Sequence, residues 1–82
     1  MRLKPLRRDL VEYLVVHRLK NKWQKICELF ERDIRHPSLK TELLEPHWRG
    51  IYSFRIDKKY RALFFIVHGA AEVFQITKHY KR

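Results

Sequence analysis

Ile51-Tyr-Ser-Phe-Arg-Ile56, Tyr60-Arg-Ala-Leu-Phe-Phe-Ile-Val67 and Ala71-Glu-Val-Phe-Gln-Ile-Thr77 are three runs rich in aromatic and branched side chains. Each alternates with period two, and Asp57-Lys58-Lys59 and His68-Gly69-Ala70 separate them. This is the pattern of three antiparallel strands in a meander. With three-residue connections, Arg55 falls opposite Arg61 and Arg61 opposite Thr77, and cross-strand partners share a face. One face then carries Tyr52, Phe54, Ile56, Tyr60, Ala62, Phe64, Ile66, Phe74 and Ile76, which makes it the core face. The other carries Ser53, Arg55, Arg61, Leu63, Phe65, Val73, Gln75, Thr77 and, if the last strand continues, His79. A slip of one residue in either hairpin would scatter both sets.

Upstream of the strands, His36 to Gly50 holds two prolines, a glycine and no sustained period, and reads as a long loop. Before it, Leu6, Leu10, Tyr13, Leu14 and His17 recur at three- and four-residue steps after Pro5, which suits a first helical turn. Val11, Val15 and Val16 broaden that stripe. Asn21 marks a turn. Trp23, Ile26, Cys27, Phe30 and Ile34 then form a second apolar stripe, with Lys22, Lys25, Glu28, Glu31 and Arg32 on its other faces. Pro37 disfavours helix at His36, so the second helix should end near Arg35. A helical hairpin followed by an antiparallel meander is an α+β arrangement, expected as a single domain over residues 1–82.

The chain has 82 residues, of which 45% are apolar or aromatic, and a formal charge of +10. A chain of this length buries only about 60% of its unfolded surface, enough for one modest core and no deep enclosed pocket. Eleven aromatics argue against disorder. The single cysteine, Cys27, excludes an internal disulfide framework and points to the reducing cytoplasm. No apolar run approaches the roughly 20 residues that cross a bilayer, so no membrane role is expected.

Eleven basic and five acidic residues precede Thr41, and eight basic and four acidic lie from there on, so the charge is spread over both halves. A folded cationic surface of this kind suits nucleic acid or an acidic protein partner. Arg55 and Arg61 have only Asp57 and Glu72 near them in sequence, both at loop ends. Two cations on one sheet face without counter-charges invite an external phosphate, which the arginine fork grips bidentately. The loop histidines His36, His47 and His68 show no i,i+4 pair, and neither a metal site nor a cofactor motif is expected.

His36-Pro-Ser-Leu-Lys-Thr, Gly50-Ile-Tyr-Ser-Phe-Arg-Ile, Tyr60-Arg-Ala-Leu-Phe and the terminal His79-Tyr80-Lys together resemble the RelE/ParE superfamily of bacterial toxins. The match spans most of the chain, and the terminal His-Tyr is most similar to the YoeB branch. The resemblance implies the toxin of a type II toxin–antitoxin system, a ribosome-dependent endoribonuclease that cuts mRNA and is silenced by an acidic antitoxin. It implies that Arg61 contacts the scissile phosphate, that Arg55 assists, and that His79 and Tyr80 form the C-terminal pair of the site. His79 is then the expected proton donor. Lys40, Arg49, Lys58, Lys59, Lys78, Lys81 and Arg82 are expected to contact RNA without taking part in the chemistry. Pro37 or Ser38 stands where YoeB-like members carry a glutamate, which leaves His79 itself, Glu42 or ribosomal groups open as the base. Ser53 replaces a lysine found in some RelE members. The ParE branch, a gyrase poison without nuclease residues, and an inactive relative that only binds antitoxin are the alternatives. The family's first strand has little to build on, since only Arg2 to Lys4 precede Pro5.

Overall fold

A computed structural model of the chain describes residues 1–78. Strand β1 (Arg2–Leu3) is followed by helices α1 (Arg8–Val16) and α2 (Lys20–Arg32). Strands β2 (Glu42–Leu43), β3 (Tyr52–Arg55), β4 (Tyr60–Val67) and β5 (Ala70–Lys78) complete a sheet of order β1-β5-β4-β3-β2. The meander β3-β4-β5 is antiparallel as read from its alternation, and β2 adds an antiparallel edge. At the other edge β1 runs parallel to β5, so the sheet is mixed. Both added strands are two residues long, too short to show any period. Tertiary contacts hold β1 instead: the Lys4 amide donates to Ala71 O at 2.9 Å and the Leu3 amide to a Glu31 carboxylate oxygen at 2.9 Å.

The helices cover one face of the sheet, and the core lies between. Phe30 of α2 is fully buried, its ring 4.9 Å from Phe54 and 5.4 Å, edge-on, from Phe64. Leu10, Leu14, Leu19 and Leu39 close the layer against Ile56, Ala62 and Ile76. Burying side chains of this size stabilises by about 1.5–3 kcal/mol each, which makes this layer the main source of stability. Cys27 flanks it, half-buried, and burial next to Glu31 and Glu28 pushes its thiol up to about 12.

The chain turns between the helices at Arg18 rather than at Asn21, which lies inside α2. Arg18 adopts the left-handed conformation, φ 56°, while the Leu19 amide reaches back to Leu14 O at 2.7 Å and the Arg18 amide to Val15 O at 3.1 Å. These two bonds form a Schellman cap whose left-handed position is usually glycine. They swing Leu19 into the core and leave Val11, Val15 and Val16 exposed, so those valines do not broaden the buried stripe. α2 stops at Arg32, three residues before the predicted end, with Asp33 extended.

The β4–β5 connection differs from expectation in a way that bears on the site. The turn is His68-Gly69 alone, with φ of 51° and 77°, and Val67 pairs with Ala70. Positive φ at both central residues defines the type I′ turn that matches strand twist. The third residue expected in that loop sits farther along, as a bulge at Phe74 opposite the Leu63/Phe64 step. From Gln75 onward the register is the predicted one, and Arg61 pairs with Thr77. Before the bulge the alternation is inverted. Val73 is buried in the core, while Phe74 lies on the outer face, stacked on Phe65 at 4.4 Å. Ile66, near the turn, is exposed.

Candidate functional site

The face of the sheet away from the helices is open. Across it run two rows fixed by register: Arg55, Arg61 and Thr77, and beside them Glu42, Ser53, Leu63 and Gln75. Arg61 is the best-anchored polar side chain of this face, its side chain only 13% exposed. Its Nε and Nη2 donate to Ser53 Oγ at 3.1 and 2.9 Å, and Nη2 also donates to Lys40 O at 2.8 Å. The Glu42 carboxylate stands 3.4 Å from the same nitrogen. Ser53 is 1% exposed because the guanidinium lies over it. Of the five N–H donors of the arginine, the two on Nη1 have no protein acceptor among the described residues.

The segment after α2 builds this seat. Pro37 opens a short 3₁₀ turn, the Ser38 amide donates to Nδ1 of His36 at 3.1 Å, and Lys40 ends the turn in the left-handed conformation, φ 45°. Thr41 Oγ1 then donates to Ile34 O at 2.9 Å, tying the loop back to the end of the helix. Lys40 therefore serves the site through its carbonyl. The next residue but one is Glu42, which β2 pairs with Ser53 on the outer face.

Glu42 corrects the expectation that the arginines lack a counter-charge. A carboxylate distant in sequence reaches Arg61 through an edge strand that sequence pattern could not reveal. Arg55 keeps the expected condition: it is directly opposite Arg61, half-buried, and no described residue accepts from it. Like charges in that relation repel unless an anion joins them.

The remaining predicted cations divide among different surfaces. Lys58 and Lys59 occupy the β3–β4 turn, where they line a groove of ≈ 580 Å³ with His17, Arg18, Lys22 and Tyr60 on the helix side. Burial raises the pKa of Asp57 in this turn, but hydrogen bonds from Lys22 and from the Lys59 and Tyr60 amides outweigh it and hold the carboxyl below its usual range. Lys78 pairs with Tyr60, on the opposite face from Arg61. Arg49 borders the outer face, in a groove of ≈ 340 Å³ with Leu63, Phe74 and Gln75. His79, Tyr80, Lys81 and Arg82 lie outside the described residues. A third groove, ≈ 380 Å³, places His36, Arg35 and Lys40 alongside Glu42.

No family model and no curated protein matches the sequence. Among solved structures, the chain is similar to a YoeB/ParE toxin from Agrobacterium tumefaciens, with a TM-score of 0.69 and 22% identity over 98% of this chain and 100% of that one. The chain therefore shares the fold of that YoeB/ParE toxin, here two helices on a five-stranded mixed sheet. Among the described residues no helix is long and apolar enough to cross a membrane.

Proposed function

We propose that residues 1–82 form the toxin domain of a type II toxin–antitoxin system, a ribosome-dependent endoribonuclease that cleaves mRNA in the cytoplasm and is silenced by an acidic antitoxin. The observation that carries this reading is the pairing of an anchored arginine, one of whose nitrogens has no acceptor among the described residues, with a carboxylate on the same open face. In the reaction the ribose 2′-OH attacks the adjacent phosphate, forming the O2′–P bond and breaking P–O5′. Glu42 takes the proton from the 2′-OH. Arg61, joined by Arg55, offsets the charge developing on the phosphoryl oxygens, an effect of roughly 3 kcal/mol per donor in such sites. By the resemblance, His79 protonates the leaving 5′-oxygen, and Tyr80 orients the phosphate. The nucleophile belongs to the substrate, so the protein's tasks are alignment, charge stabilisation and proton transfer, none of which calls for a metal.

The ion pair between Glu42 and Arg61 gives the free protein a resting state. An entering phosphate competes with the carboxylate for the guanidinium and releases Glu42 to act as a base. In translating ribosomes programmed with mRNA, mapping of transcript 5′ ends is expected to show cuts by the wild type. Glu42→Gln should reduce cutting on the order of 10²–10⁴-fold. Uncut mRNA together with gyrase-linked DNA breaks would overturn the reading in favour of a ParE-like toxin.

A further inference from the structure

The groove beside Arg49 lies on the same face as Arg61, one row farther along the strands. Leu63 follows Arg61 by two residues, about 7 Å along β4, and Gln75 is paired with Leu63 across the ladder. Phe74, turned outward by the bulge, supplies an aromatic wall backed by Phe65. Gln75 is exposed, and its amide makes no hydrogen bond to any described residue. At the mouth, Arg49 lies 5.8 Å from the centroid of the Trp48 ring, and Trp48 is 83% exposed, the most exposed large apolar side chain described. Glu45, also at the groove, points its charge at His47, 3.3 Å away.

An apolar floor, an amide with unused donor and acceptor, and a cation next to an exposed indole are the components of a base-stacking site on a single strand. Arg49, Arg55 and Arg61 on one face favour a polyanion over an apolar peptide. A volume of ≈ 340 Å³ is within the range of small-molecule sites. We infer that the groove between Arg49, Leu63, Phe74 and Gln75 receives one base of the RNA strand whose phosphate sits at Arg61. Gln75 reads the edge of that base, and Trp48 with Arg49 stacks at the mouth. This inference rests on the nuclease reading and adds a base-recognition site to it.

The test uses the free protein. In a Trp23→Phe background Trp48 is the sole tryptophan, and a short single-stranded oligoribonucleotide is titrated alongside an abasic ribose-phosphate oligomer of equal length. The base-bearing strand should quench Trp48 and bind at least tenfold tighter than the abasic one. With a labelled strand, Trp48→Ala should weaken binding roughly 5- to 150-fold, the range for loss of one stacked base, and Gln75→Leu roughly 2- to 13-fold, the range for loss of one hydrogen bond. Both side chains are exposed, so neither change threatens the fold. Equal affinity for the two strands, or binding of neither, overturns the inference. The two readings separate in the ribosome assay. If the wild type cuts mRNA while Gln75→Leu cuts the same positions with the same efficiency, the base site falls and the nuclease stands. If the wild type does not cut, the strand titration still decides the base site.

Discussion

Removing the Ser53 hydroxyl tests whether the sheet holds Arg61 in place. Ser53→Ala deletes the oxygen that accepts from both Nε and Nη2, at 3.1 and 2.9 Å, and leaves Arg61 with Lys40 O and Glu42. Two N–H groups sharing one oxygen count as one charge-assisted bond, and hydrogen bonds to charged groups contribute about 1.5–3 kcal/mol. The 13% exposure of the arginine side chain allows water partial access, which favours a value near 2 kcal/mol. In a domain of this size that lowers the thermal midpoint on the order of 10 °C, since each kcal/mol shifts it by roughly 4–8 °C. The same loosening should reduce mRNA cutting by up to about 30-fold, at tenfold per 1.36 kcal/mol. A double-mutant cycle with Arg61→Met, followed by chemical denaturation, isolates the pair. A coupling near 2 kcal/mol is expected. Additive effects within about 0.5 kcal/mol and an unchanged midpoint would refute the idea that Ser53 seats the arginine.

Three further outcomes follow from features away from the site. Arg18→Gly removes a side chain from the left-handed cap position and should stabilise by about 1 kcal/mol, read as a midpoint several degrees higher; a lower midpoint would contradict the cap assignment. Cys27, with its thiol pushed up to about 12 from 9.0, should resist alkylation near neutral pH until the chain is unfolded. A group raised on folding contributes stability fully below its unfolded value, so this contribution holds below about pH 9 and declines as the pH rises toward 12. Asp57→Asn keeps the acceptor for the Lys59 and Tyr60 amides but loses the attraction of Lys22 at 2.9 Å, with an expected cost of about 1 kcal/mol at neutral pH. The Asp57 carboxyl is lowered on folding, so its contribution is present above the unfolded value of 3.8 and is lost as the pH falls through the folded one. Acid titration of the Asp57→Asn variant should lack that component.

Period two in residues 51–77 carried the fold class and the meander, because each strand there buries one face and leaves the other open. The Arg55–Arg61–Thr77 row was legible for the same reason. Hidden from the sequence were the elements held by tertiary contact alone. Two residues at Arg2–Leu3 and two at Glu42–Leu43 show no alternation, so the parallel edge and the carboxylate beside Arg61 emerged only with the structure. The helix turn was misplaced because a left-handed arginine is an uncommon cap and Asn21 is a common turn residue. Valine at 11, 15 and 16 looked buried by composition, yet the helix presents those positions to solvent. Ser53 stands where some RelE members carry a lysine, and only the structure shows that its hydroxyl accepts from Arg61.

The bulge at Phe74 divides the β4–β5 hairpin into two parts whose alternation is set independently. Shortening the tip to a two-residue turn would otherwise have carried Thr77 out of line with Arg61. The single unpaired residue absorbs that difference, much as an expansion joint isolates one span of a bridge from movement in the next. Sequence drift at the tip can therefore proceed without disturbing the pairing of Arg61 with Thr77. A change that removed the bulge would shift the whole C-terminal part of β5 by one place, exchanging the residues that face the helices with those on the open face.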